Sequence, residues 1–118
     1  MLREAWTGGR IRLFAPSLMI FEVANSIWKN PNTGDDLARS LVKAAMNLSP
    51  TLINPTALVV GQAMLVARKA TMTFYDAVYL ALAKSMSLRL ISADHKQLSA
   101  SSRHVNAVHI AQVPEIIS

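Results

Sequence analysis

One apolar segment, residues 73–83 (TFYDAVYLALA), constrains the fold of this chain more than any other. Apolar side chains surround the segment on nearly every side, and a helix of that kind is buried inside a protein rather than laid on its surface. The alanines Ala77, Ala81 and Ala83 allow neighbouring elements to approach closely. Asp76 lies in the first turn of this predicted helix, and a carboxylate is rarely buried without a partner. The segment therefore predicts a central helix with an acid that needs a partner or a ligand.

Two further acids accompany strand-like runs. Asp94 follows residues 89–93 (RLISA), where a predicted strand gives way to a loop, and Glu22 lies in the helix after the first predicted strand. Ligands of an open parallel sheet bind beyond the carboxyl ends of its strands. We therefore expect Glu22, Asp76 and Asp94 to converge on one edge of a sheet.

Hydrophobic periodicity and turn residues predict short strands that alternate with helices. The strands are expected over residues 10–14, 51–54, 88–92 and 105–110. Residues 1–6 are expected to be the end of a helix. Further helices are expected from 17 to about 29, 35 to about 47, 55 to about 69, 73 to about 86, and 95–98. Residues 113–118 are expected to form a C-terminal tail. Such alternation favours parallel pairing through right-handed crossovers. We predict an α/β fold, a three-layer α/β/α sandwich with a short parallel sheet, in a single domain over residues 1–118.

Composition narrows the classes of function. The chain has no cysteine, which excludes a disulfide framework and a thiolate metal site. No apolar run reaches the roughly 18 residues of a membrane span, and the N-terminus lacks a signal-peptide pattern, so we expect a cytoplasmic protein. The net charge of +5 suits a polyanionic partner such as nucleic acid, but it also suits simple solubility. Charge alone does not decide between these two interpretations.

The three acids admit a chemical and a structural interpretation. Clustered carboxylates repel one another unless cations or protons accompany them, and oxygen-only ligands suit Mg²⁺ or Mn²⁺. Such ions activate water for phosphodiester cleavage. Alternatively, Asp76 belongs to a capping box with Thr73, Asp94 caps the short helix after it, and Glu22 pairs with Lys29 or an arginine. Spacing leaves both interpretations open.

Three segments, in chain order, resemble the PIN-domain family. Residues 15–25 (APSLMIFEVAN) are similar to the family segment that holds its glutamate, and residues 73–83 closely resemble its T-x-Y-D-A-x-Y-L-A-L-A segment. Residues 90–94 (LISAD), with Lys96 and Leu98, are similar to its T-A-D-x-K-L strand end. The central motif is the most specific of the three.

The resemblance implies an Mg²⁺- or Mn²⁺-dependent ribonuclease, often the toxin of a VapBC-type toxin–antitoxin pair and usually a homodimer. It maps Glu22, Asp76 and Asp94 onto three of the family's catalytic, metal-binding acids. The positions it implies as polar supporters of the metal site are Asn25, Thr73 and Ser92. The cations we expect to contact the phosphates of an RNA substrate are Arg39, Lys43 and Lys96.

One departure from the family bears on activity. Family members begin with a central strand that carries an aspartate, and nothing similar precedes Arg10 here. A truncated sequence, a degraded copy or a rearranged assembly would each explain this, and we expect truncation. The departure leaves two functions open: a metal-dependent endoribonuclease, or a catalytically inactive remnant that dimerises and binds RNA or an antitoxin protein.

Overall fold

The structure, a computed structural model, describes residues 8–9, 11–47 and 50–112. The strands are β1 (Phe14–Pro16), β2 (Thr51–Ile53), β3 (Leu90–Ser92) and β4 (Ala107–His109). The helices are α1 (Leu18–Trp28), α2 (Asp35–Asn47), α3 (Ala57–Ala70), α4 (Phe74–Ser85) and α5 (His95–Ser101), and a 3₁₀ turn spans Ile110–Gln112. The predicted tails at 1–6 and 113–118 lie outside the described residues. The chain divides into two compact units, residues 13–54 and the remainder.

In the unit formed by residues 13–54, β1 and β2 pair in parallel, with Phe14 opposite Thr51 and Pro16 opposite Ile53. The amide of Ser17 donates to the carbonyl of Ile53 at 2.8 Å and extends this pairing past Pro16, which has no amide hydrogen. Of the predicted strand at 10–14, Arg10 lies outside the described residues, and the observed strand begins at Phe14. The carbonyl of Leu13 already accepts from the amide of Thr51 at 2.9 Å, so the contact with β2 starts one residue before β1. The prediction is therefore displaced toward the N-terminus, because the alternation of Ile11 and Leu13 with arginines gave a strand pattern, whereas the regular pairing extends from Phe14 to Pro16.

In the other unit, the central turns of α4 are buried, as its sequence predicts, while Tyr75 and Lys84 near its two ends are exposed. Its buried residues are Ala77, Val78, Leu80, Ala81, Leu82 and Ala83. The helix packs against α3, whose Ala63 is fully buried and allows close approach. Leu80 and Ala83 form a core cluster with Leu90 of β3. This packing fixes the position of both α4 and β3, the two elements that carry or precede the predicted acids of this unit.

β3 and β4 also pair in parallel, with Leu90 opposite Ala107 and Ser92 opposite His109. The α/β class and the parallel pairing are therefore confirmed, and within the described residues the strands form two pairs. No helix in the described part of the chain is long and apolar enough to cross a bilayer.

Candidate active site

Asp76 and Asp94 lie in one groove, although 17 residues separate them in the chain. Asp76 comes from the first turn of α4, and Asp94 immediately precedes α5. The groove has a volume of about 940 Å³ and is open to solvent. Its polar lining consists of Lys69, Thr71, Thr73, Asp76, Asp94, Lys96, Gln97, Ser99, Arg103 and His104, and we call it the two-aspartate groove.

The position of Asp76 follows from the cap of α4. The Thr73 hydroxyl accepts a hydrogen bond from the Asp76 amide at 3.2 Å, so Thr73 is the N-cap that the sequence predicts. This bond uses the backbone of Asp76 and not its carboxylate. The half-buried side chain stands at the positive end of the helix dipole, which stabilises a negative charge there. Because the cap uses only the backbone amide, the carboxylate oxygens of Asp76 remain available at the groove.

Asp94 caps α5 with one carboxylate oxygen. Its Oδ1 accepts from the amides of Lys96 at 2.9 Å and Gln97 at 3.4 Å. The capping interpretation of Asp94 is therefore correct, but it does not compete with a ligand role. A carboxylate has two oxygens and about four lone-pair sites, so Oδ2 can bind a ligand while Oδ1 fixes the orientation of the group.

A short hydrogen-bond chain holds Asp94 in place. Ser92, the last residue of β3, accepts from the Asp94 amide at 3.0 Å and donates to Gln97 Oε1 at 2.6 Å. Ser92 and Gln97 therefore link the strand end, the loop and the first turn of α5. Ser92 is near the acid as expected, whereas sequence reasoning missed Gln97. Its position three residues after an N-cap was the available signal.

Glu22 and Asn25 lie on α1, in the other compact unit. Glu22 is half-buried, its backbone carbonyl accepts from the Ser26 hydroxyl at 3.1 Å, and Asn25 is exposed. Their part in a shared site stays a prediction. Among the described residues, no three acidic or histidine side chains are grouped so that they could hold one metal ion.

The cations of the two-aspartate groove are only partly those named from the sequence. Lys96 lines the groove, and its contact with RNA stays a prediction; Lys69 and Arg103 also line it, and sequence reasoning missed both. Lys69 lies in the last turn of α3, where a cation is favourable whatever its function, and Arg103 follows α5 without any motif. Arg39 instead pairs with Asp36 on α2, at 3.1 Å between two largely exposed side chains. Lys43 is exposed on the same helix.

The donor set of the groove suits a hard divalent cation. Magnesium is usually held by one or two carboxylates, with water and substrate phosphate oxygens completing its coordination. Asp76 and Asp94 provide two carboxylates in an open groove that admits water and phosphate. The described part of the chain has no cysteine, and the groove has one histidine, so oxygen ligands predominate.

Comparison with known proteins gives two findings. A family model described as "PIN domain" matches residues 2–102. Among solved structures, the chain is similar to the crystal structure of PAE2754 from Pyrobaculum aerophilum, at 27% sequence identity and a TM-score of 0.69. That similarity covers 89% of this chain and 76% of the other. No curated protein matches the sequence closely enough to count as a relative.

Proposed function

Because the chain belongs to the PIN-domain family, whose members are generally divalent-metal-dependent nucleases, we propose that it is an Mg²⁺- or Mn²⁺-dependent endoribonuclease. The observation that carries this proposal is the two-aspartate groove, where two carboxylates and three cationic side chains line one surface. Carboxylates suit the metal and cations suit the phosphates of the substrate. The groove therefore contains both kinds of group that metal-assisted phosphodiester hydrolysis needs.

In this proposal Asp76 and Asp94 are the catalytic, metal-holding residues, and Glu22 is a third. A bound Mg²⁺ or Mn²⁺ would activate water and neutralise the charge that develops on the phosphodiester. Oδ2 of Asp94 would be the oxygen that binds the metal, because Oδ1 already accepts the two hydrogen bonds that cap α5. Thr73 and Ser92 act as positioning residues, since their hydroxyls fix the backbone at Asp76 and Asp94.

The groove cations have a separate task. Lys69, Lys96 and Arg103 are exposed, and within the described residues none of them is held in an ion pair, so their side chains can follow a flexible RNA backbone. They neutralise phosphates on either side of the scissile bond and orient the strand. Three cations against two carboxylates leave the groove attractive to RNA even before a divalent ion is bound.

The finer biological role is also part of the proposal. We infer that the protein is the toxin of a VapBC-like pair, neutralised by an antitoxin protein, and that it acts as a homodimer in the cytoplasm. Support for this comes from the resemblance of the three motifs at residues 15–25, 73–83 and 90–98. Co-purification with the product of an adjacent gene, and its inhibition of cleavage, would test the antitoxin assignment.

A second function competes with the first: RNA or antitoxin binding without turnover. The observation that favours it is that no three acidic or histidine side chains are grouped as a metal site in the described residues. A groove with too few ligands would bind RNA through its cations alone. Binding of that kind weakens steeply with salt and does not respond to Mg²⁺.

Cleavage of a labelled RNA by the full chain, with Mn²⁺ and with EDTA, separates these functions. Asp94→Asn and Asp76→Asn are the test variants, and Asp35→Asn, an exposed acid on α2, is the matched control. The endoribonuclease proposal expects Mn²⁺-dependent cleavage that both groove variants lose and the control retains. RNA binding by the wild type with no cleavage in either buffer would favour the second function, and cleavage by Asp94→Asn at the wild-type rate would contradict the first.

A further inference from the structure

Two histidine rings stack beside the groove. His95, the first residue of α5, lies against His109 at the end of β4, with ring centroids 4.8 Å apart and planes inclined by 21°. This geometry is that of nearly parallel stacked rings. We call the pair the histidine ledge. It has no part in the roles assigned so far to the groove residues.

Hydrogen bonds with the turn after β4 orient the inner residue of the ledge, His109. The amide of Ala111 donates to His109 Nδ1 at 3.0 Å, and the His109 amide donates to Gln112 Oε1 at 3.1 Å. The 3₁₀ turn after β4 therefore fixes the ring plane. Since Nδ1 accepts a hydrogen bond, the proton of the neutral imidazole is on Nε2. The half-buried His109 thus provides a fixed surface on which His95 rests.

The outer ring is exposed and stands next to the predicted acid. His95 follows Asp94 directly, and Ser92, before Asp94, is the register partner of His109. The ledge therefore lies at the carboxyl ends of two parallel strands, the same edge to which Asp94 belongs. One face of His95 lies against His109 while its side chain is exposed, so its other face is turned to solvent.

We propose that the histidine ledge is a stacking platform for one unpaired nucleobase of the RNA, next to the phosphate bound in the two-aspartate groove. The proposal rests on the proposed function and adds a base-binding position to it. Single-stranded RNA is held largely by stacking of its bases on aromatic side chains, histidine included. A flat, solvated ring supported from behind suits a base, whereas phosphate is bound by the cations of the groove. Stacking accepts every base, so the ledge orients the strand without reading its sequence.

The test is RNA binding in EDTA, where metal-dependent cleavage does not interfere. The affinity of the full chain for a short, fluorescein-labelled single-stranded RNA is measured by fluorescence anisotropy, for the wild type, His95→Ala and His95→Phe. Trp28→Ala, which removes an exposed ring from α1, is the matched control. The same proteins are then titrated with RNAs carrying single abasic nucleotides at successive positions, which keep the phosphates and remove one base.

We expect His95→Ala to weaken binding about five- to 150-fold, the range of base–aromatic stacking. His95→Phe should restore most of this loss because it keeps a flat ring, and Trp28→Ala should bind like the wild type. At one abasic position the difference between wild type and His95→Ala should vanish. The slope of affinity against salt should stay unchanged in His95→Ala, because stacking releases no counterions.

Three results would contradict base stacking on the histidine ledge. They are wild-type affinity in His95→Ala, failure of His95→Phe to restore binding, and a loss of affinity in His95→Ala that persists at every abasic position. Absence of RNA binding by the wild type would overturn it as well. Failure of the proposed function is a different result, namely stacking-dependent binding in EDTA with no cleavage when Mn²⁺ is supplied. The two ideas therefore fail in separate assays.

Discussion

Oδ1 of Asp94 lies 2.9 Å from the amide nitrogen of Lys96, so the carboxylate of Asp94 closes the first turn of α5 with one oxygen. The same residue is therefore a structural cap and a proposed metal ligand. Substitutions at Asp94 can distinguish the cap from the metal ligand, because asparagine caps helices about as well as aspartate, whereas alanine does not.

We expect Asp94→Asn to keep the free energy of unfolding near that of the wild type while abolishing metal-dependent cleavage. Asp94→Ala should lose cleavage and also about 0.5–2 kcal/mol of stability, because the amides of Lys96 and Gln97 lose their acceptor. Urea unfolding followed by circular dichroism, beside the RNA cleavage assay, measures both effects. Equal stability of the asparagine and alanine variants would show that the cap contributes nothing.

The Thr73 hydroxyl makes a similar contribution to α4. We expect Thr73→Ala to lower the free energy of unfolding by about 1 kcal/mol, because the amide of Asp76 loses its acceptor at the start of the central helix. Thr73→Ser keeps the hydroxyl and should stay close to the wild type. Chemical denaturation of the three proteins gives the comparison, and a serine variant as unstable as the alanine variant would argue against the cap.

Local patterns predicted much of the unit that contains the groove. The apolar run at residues 73–83 predicted a buried helix, and the Thr73–Asp76 spacing predicted its cap. Both depend on residues close together in the chain, where helical periodicity and hydrogen-bonding geometry act directly. The parallel pairing of the strands likewise followed from their alternation with helices.

Sequence could not predict which cations share a surface with the two aspartates. Lys69 and Arg103 line one groove with Asp94 only because α3 packs on α4 while α5 packs on β3 and β4, and no spacing along the chain encodes that arrangement. Apolar character also failed to predict burial on α1, where Phe21 is 76% and Trp28 78% exposed. Burial depends on what covers a residue, and hydrophobicity alone does not provide that information.

Ser101 offers a test of packing in the core. Its side chain is fully buried at the end of α5, and among the described residues its hydroxyl has no hydrogen-bond partner. A buried hydroxyl without a partner costs about 1–3 kcal/mol. We therefore expect Ser101→Ala to raise the midpoint of thermal unfolding.

The neighbouring Ser102 is the control for that substitution. It is exposed, and its hydroxyl donates to the carbonyl of Ser99 at 3.2 Å, so Ser102→Ala should change stability by no more than about 0.5 kcal/mol. Differential scanning calorimetry of both variants and the wild type makes the comparison. A lower midpoint for Ser101→Ala would mean that its hydroxyl is satisfied in solution.

The cations of the groove predict how RNA affinity depends on salt. We expect Lys69→Gln and Arg103→Gln each to weaken RNA binding and to reduce the magnitude of the log–log salt slope by about 0.7, the value for one phosphate contact to a single strand. Lys84→Gln, an exposed lysine in the last turn of α4 that does not line the groove, should leave both affinity and slope unchanged. Anisotropy titrations over a series of KCl concentrations, in EDTA, provide the slopes. If the groove variants lost affinity with an unchanged slope, Lys69 and Arg103 would not be contacting phosphates, and the RNA path along the two-aspartate groove would be wrong.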